Sequence, residues 1–329
     1  MALWSTMWSD VESYNQRARV LDYRVLGWKG MAREIMKLGS TDVLIVNGAL
    51  GYPDRWRDLV LAGAARTLGR RFGLVVSDAT WEPRSLPHES SAGRAYKLNE
   101  HFGRLLLRRL VGPRTVVCFL SQHERDQFVQ ETGCAPESAT FTPFTISIDA
   151  DRARRTNRSD RRYVWTGGNT LRDWDLLKDS LDKVDAPVRV VTSHTSGPWP
   201  DNFQVGPLPH DEFVDTAARA SVGVITLRND VDRSAGQQTY LNLLALGVPV
   251  VVNDAPGVRD HLEGAPGAYV TPADADAVAQ RVSWLLDPDN AEHVRKETEA
   301  GRRYVQRHFG LEKYLTNLLE IGEDLARRL

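Results

Sequence analysis

The sequence predicts an α/β chain of two Rossmann-like, doubly wound domains facing across a cleft, and three observations predict it. Short β-branched runs alternate with helical patterns along all 329 residues. Many of the runs are almost wholly apolar, as expected of parallel strands buried on both faces. One polar stretch, "DADRARRTNRSDRR" at 149–162, has no apolar period and reads as an exposed linker. A chain of this length also exceeds what a single core usually serves.

The elements follow in order. No clear strand and no Gly-rich loop precede "VLDYRVLGWKG", so the first domain reads as shortened at its start. "DVLIVN", "GLVVSD" and "TVVCFLS" are its strands, with helical patterns at 56–68 and 94–110 between them. Beyond the linker, "YVWTGG", "VRVVTS", "VGVITL", "PVVVND" and "AYVTP" repeat the alternation. Alternating elements of this kind build parallel sheets through right-handed crossovers. The expected division is 1–148, the linker 149–162, a second domain at 163–311, and a last helix at 312–329 that packs back on the first domain.

Composition removes several classes. The net charge is −1, with 19 basic against 16 acidic residues up to 150 and 23 against 27 beyond it, so no broad basic field awaits nucleic acid. No apolar run reaches the roughly 18 residues that span a bilayer. The N-terminus lacks the pattern of a signal peptide, and two cysteines, Cys118 and Cys134, suit a reducing compartment. The expected location is cytoplasmic. The amphipathic "LNEHFGRLLLRRLVG" fits a helix packed on a sheet, and leaves open a peripheral position at the inner face of a membrane.

Neither G-x-G-x-x-G nor G-x-x-x-x-G-K-[ST] is present, which argues against dehydrogenases and P-loop enzymes. "DAD" at 274–276 reads as an acidic helix start rather than a metal site. "YVWTGGNTLRDWDLL" is a strand, a glycine turn and a helix. Gly168 lets a ligand approach the backbone, and Arg172 near a helix start is a cation where the macrodipole disfavours one. A bound phosphate would offset that, while pairing with Asp173 or Asp175 is the competing explanation. "SAGQQTYLNLLALGVPVVVND" opens a second helix with Gly236, Gln237, Gln238 and Thr239, whose free N–H groups make an anion site. Arg228 in "ITLRND" adds positive charge, and Ser234 is a donor contact or an ordinary cap.

The succession "GG…RDWDLL", "VGPLPHDEF" and "SAGQQTYLNLLALGVPVVVNDAPGVRDHL…GAYVTPADADAVAQRVSWLLDP" resembles the nucleotide-sugar-binding half of GT-B glycosyltransferases of the glycosyltransferase 4 / group 1 family. The resemblance runs from about Thr41 to the C-terminus. It implies that Arg172 stands where the family has a lysine on the donor diphosphate, and that Gly236 and Gln237 lie in the loop meeting the phosphates. Asn242 falls where a glutamate grips the ribose, and Ser234 where another touches the donor sugar. Both glutamates are absent. Val205 and Gly206 would lie beside the base.

The acceptor side would come from the first half. "SDATWEP" places Asp78 and Trp81 at a strand end, Asp78 as a base or hydroxyl-orienting group and Trp81 as a stacking face. A loop cap and a core aromatic are the plainer alternatives. Gly48 in "GALGYPDRW" would line the same cleft; His88 and Glu89 sit in a Pro/Ser-rich loop, and His210 reads as structural.

The expected function is transfer of a sugar from a nucleoside-diphosphate sugar to a hydroxyl-bearing small-molecule, glycan or lipid-linked acceptor. Retention of configuration, no metal and no cofactor beyond the donor are expected, with Asp78 the candidate base should the reaction invert. A catalytically silent nucleotide-binding subunit and a sugar-nucleotide epimerase on the same fold are the alternatives.

Overall fold

The computed structural model describes residues 2–48, 56–81, 93–148 and 163–329, with side chains of the helix beginning at Gly93 described from Phe102 onward. The linker 149–162, His88, Glu89 and most of "GALGYPDRW" lie outside the described residues. The chain divides into two compact units, Met1–Pro143 with Glu312–Leu329, and Phe144–Leu311. The C-terminal helix therefore belongs to the first unit. Phe144–Ile148, assigned above to the first domain, belongs to the second, where Thr145 Oγ1 donates to the Phe309 carbonyl at 3.0 Å.

Unit 1 holds β1 (Leu3–Ser5), β2 (Arg19–Val20), β3 (Val43–Asn47), β4 (Gly73–Ala79), β5 (Thr115–Phe119) and β6 (Ala139–Phe141), in the order β2-β1-β3-β4-β5-β6, all parallel. The expectation of a truncated start is corrected: β1 pairs with both β2 and β3. Its three residues, Leu-Trp-Ser, are too short and too mixed to give a run signal. One face of the sheet carries α1 (Tyr23–Ile35), α2 (Arg57–Thr67) and α3 (Gly93–Leu110), whose Met31, Ile35, Leu59, Ala62, Leu107 and Leu110 meet Leu44, Val46, Leu74 and Val76 in one apolar cluster. Alternate strand residues face the opposite way, as the pleat requires. There the C-terminal helix α4 (Leu311–Arg328) lies close enough that a Cβ on Gly322 would stand 3.3 Å from Leu3.

Unit 2 is also a six-stranded parallel sheet. Its strands are β7 (Val164–Gly167), β8 (Val188–Val191), β9 (Phe203–Gly206), β10 (Val222–Ile225), β11 (Val250–Asn253) and β12 (Ala268–Thr271), ordered β12-β11-β10-β7-β8-β9. The chain starts at β7, builds outward through β8 and β9, then returns to β10 on the other side. The order reverses between β7 and β10, and in open α/β sheets a ligand crevice forms beyond the strand C-termini at such a reversal. β9, "FQVG", escapes a run-based reading because it is half-buried at an edge.

Candidate functional site

The site is built where β7 and β10 end. After Gly167 the backbone enters the left-handed region at Gly168 (φ 96°) and again at Leu171 (φ 53°). It then runs antiparallel to the segment after β10, bridging Arg172 to Leu227, with Asp173 N donating to Thr226 O and Arg228 N to Leu171 O. Asp173 caps the helix Trp174–Leu181 by accepting from Leu176 N. Asn253, at the end of β11 and 1% exposed, grips the other side of Leu227, accepting from its amide at 2.6 Å and donating to its carbonyl at 2.7 Å. Three strand ends are thus locked together. Sequence reading missed Asn253; the available signal was a polar residue closing the buried run "PVVVN".

Arg172 is buried, 7% exposed. Its Nε and Nη2 donate to the Gly167 carbonyl at 3.1 and 2.9 Å, Nη1 to Thr170 O at 2.9 Å, and Nη2 to Thr239 Oγ1 at 3.1 Å. Every one of these acceptors is neutral. Asp173 is a cap and Asp175 pairs with Lys178, so the proposed pairing of Arg172 with either carboxylate does not occur. Burial lowers the guanidinium to about 10, which leaves it charged near neutral pH. A buried cation without a counter-charge is costly unless an anion joins it. Gly168 makes room: a Cβ there would sit 2.5 Å from Arg172 Nη2.

The second component is the start of the helix Gln237–Ala245. Its N-cap is Gly236, at φ 81° and without a side-chain cap. Thr239, expected to carry a free N–H, donates it instead to Gly236 O at 2.9 Å and contributes its hydroxyl to Arg172. The backbone N–H groups of Gln237 and Gln238 have no acceptor among the described residues. Ser234 is not the cap; its hydroxyl accepts from the buried side-chain Nε2 of Gln237 at 2.6 Å. In the first turn, the buried Tyr240 hydroxyl has no hydrogen-bond partner among the described residues.

Gly168, Gln238, Thr239 and Asn242 line one cavity of about 390 Å³, together with Ser147, Leu208 and His210. Asn242 is held by Ser147: its Oδ1 accepts from Ser147 N and its Nδ2 donates to Ser147 Oγ, both at 2.9 Å, while Gln238 Nε2 reaches the same oxygen at 2.9 Å. Val205 and Gly206 do not line this cavity. Val205 packs on the opposite side of the sheet, in the cluster of Trp174 and Trp199, because successive strand residues point to opposite faces. Leu208 and His210 stand there instead, so His210, exposed at a helix start, is not a core residue. Arg228 adds little net charge, since Asp230 clamps it through two bonds of 2.9 and 2.6 Å. In "DAD", Asp274 caps its helix and Asp276 pairs with Lys183. Among the described residues no three His, Cys, Asp or Glu gather as metal ligands.

The first-unit candidates fare differently. Asp78 (φ 51°), at a register shift in β4, is 9% exposed, accepts from Tyr314 OH at 2.7 Å, and is pushed up to about 6 by burial. Trp81 is corrected as a stacking face. Its ring is 0% exposed, packed edge-on against Phe128 at 4.9 Å. Gly48 is pressed against β4, where a Cβ would lie 2.9 Å from Val76 and 3.0 Å from Ser77 O.

Residues 172–320, beginning at Arg172 itself, match the family model described as glycosyl transferase-like. This stretch, a little under half of the chain, is similar to a glycosyltransferase domain. No curated protein matches the chain in sequence. Among solved structures, a glycosyltransferase from Rickettsia africae superimposes with a TM-score of 0.64 at 13% identity, covering 98% of this chain and 89% of that one. HepE from Anabaena, in complex with UDP, gives 0.62 at 14% identity with 99% of both chains covered. Sucrose-phosphate synthase from Thermosynechococcus elongatus gives 0.60 at 14%, covering 91% of this chain and 77% of that one. At these identities the likeness is one of fold, and the fold is GT-B: two Rossmann-like units of six parallel strands.

Proposed function

We propose that unit 2 holds the diphosphate of a nucleoside-diphosphate sugar, and that the protein transfers the sugar to a hydroxyl-bearing acceptor. One observation carries this reading: the Arg172 guanidinium, buried among neutral acceptors, stands at the sheet's switch point beside a helix start whose Gln237 and Gln238 backbone N–H groups have no acceptor among the described residues. Both groups favour negative charge, and the charge on the departing diphosphate grows as the glycosidic bond breaks. The chain's own cation and helix amides supply that stabilisation in this scheme, so it needs no metal. The base would sit towards Leu208 and His210, with the ribose near Asn242. Retention is inferred from the family resemblance; inversion would make Asp78 the general base that deprotonates the acceptor hydroxyl. UDP is the first nucleotide to test, since HepE binds it.

A silent nucleotide-binding subunit is the second reading, favoured by Ser234 and Asn242 standing where the family's two glutamates are expected. A thermal-shift panel of UDP, GDP, ADP, CDP and TDP tests binding, because a ligand of the native state raises the midpoint by mass action. One nucleotide raising it, with donor turnover lost in Arg172→Gln, supports the enzyme. Binding without turnover supports the silent subunit, and no shift with any nucleotide refutes both.

A further inference from the structure

Five large apolar side chains stand out as exposed among the described residues: Val25, Trp28, Leu68, Phe102 and Leu105. All five lie on one layer of unit 1. Val25 and Trp28 are on α1, Leu68 ends α2, and Phe102 and Leu105 are on α3. Scattered exposed apolar residues are ordinary, but their confinement to one helical layer is not. α3 does pack on its sheet through Leu107 and Leu110, yet its outer side still presents Phe102, Leu105 and Arg109 at i, i+3 and i+7.

The unpaired charges described on the same layer share one sign. Asp22, Asp58 and Glu34, the carboxylates at or within these helices whose side chains are described, are all ion-paired, to Arg24, Arg57 and Lys37. Lys29, Arg33, Arg70, Arg71 and Arg109 are exposed and have no carboxylate partner among the described residues. The whole chain carries −1, so this is a local excess of cations around protruding apolar groups. A soluble protein partner of mixed charge would not need that excess. An anionic surface with an apolar interior would, since cations are drawn to its headgroups while Trp and Leu enter the boundary. No helix among the described residues is long and apolar enough to cross a membrane, so such contact would be peripheral.

We infer that the outer face of α1–α3 docks on an anionic lipid bilayer. The inference is independent of the donor site, which lies in the other unit. The test is co-sedimentation of the full chain with vesicles of phosphatidylcholine alone or mixed with phosphatidylglycerol, at low and high salt. Binding should require the anionic lipid and fall at high salt. Lys29→Gln/Arg33→Gln/Arg109→Gln should weaken it about fivefold per cation removed, and Trp28→Ser/Leu105→Ser should weaken it at unchanged net charge. Far-UV circular dichroism and the unfolding midpoint check that the variants fold. Absence of binding to anionic vesicles, equal binding to neutral ones, or indifference to both variants overturns the inference. So does a dimer in light scattering that Trp28→Ser/Leu105→Ser dissociates, which would assign the face to a second copy of this chain.

Discussion

Tyr314 donates its hydroxyl to Asp78 across 236 residues of sequence, at 2.7 Å, tying the C-terminal helix to the end of β4. The bond favours the carboxylate, yet burial outweighs it and holds Asp78 up at about 6. The phenol is raised as well, by its own burial and then by the neighbouring carboxylate.

A pH dependence of stability follows. A carboxyl raised on folding is easiest to bury protonated, so its contribution is intact below the unfolded value near 4 and lost as pH rises through about 6. Urea unfolding between pH 4 and 7.5 should show a loss of about 2–3 kcal/mol from this group. Asp78→Asn should flatten that segment of the curve; an unchanged slope would refute the assignment.

Gly168→Ala should damage the donor site more than the fold. Its φ of 96° and the 2.5 Å approach to Arg172 Nη2 mean that the guanidinium must move. A loss of about 1–3 kcal/mol in stability is expected, with the nucleotide-induced midpoint shift abolished. Retention of the full shift would show that the position of Arg172 is immaterial to binding.

Trp81→Ala should act on the core. Complete burial against Phe128 predicts about 3–5 kcal/mol of destabilisation. The acceptor KM of the surviving folded protein should stay near wild type, measured by initial rates well below the melting midpoint. A stable variant with a raised KM would restore the stacking role.

Asn253→Ala leaves the buried Leu227 amide and carbonyl without their partners, a loss of about 1–3 kcal/mol for each such group. Chemical denaturation should show it, and hydrogen exchange should quicken at Leu227 and Arg228. Unaltered exchange there would mean that β11 does not brace the loop.

Taken by itself, the sequence determined the alternation of strands and helices, the two-domain plan and the glycine-led helix start at Gly236. Strands such as Val43–Asn47 and Val250–Asn253 are buried on both faces, so they must be apolar at nearly every position, and such runs are legible without contacts. Leu3–Ser5 and Phe203–Gly206 were not, because a three-residue strand and a half-buried edge strand need no such run. Arg172 was conspicuous as a cation at a helix start. That its acceptors are Gly167 O, Thr170 O and Thr239 Oγ1 rather than Asp173 was decided by tertiary structure, which brings the β7 and β10 loops side by side. Distance along the chain also hid Tyr314 from Asp78. Local pattern reports how much of an element is buried; which polar atom meets which is settled only when separate elements close on one another.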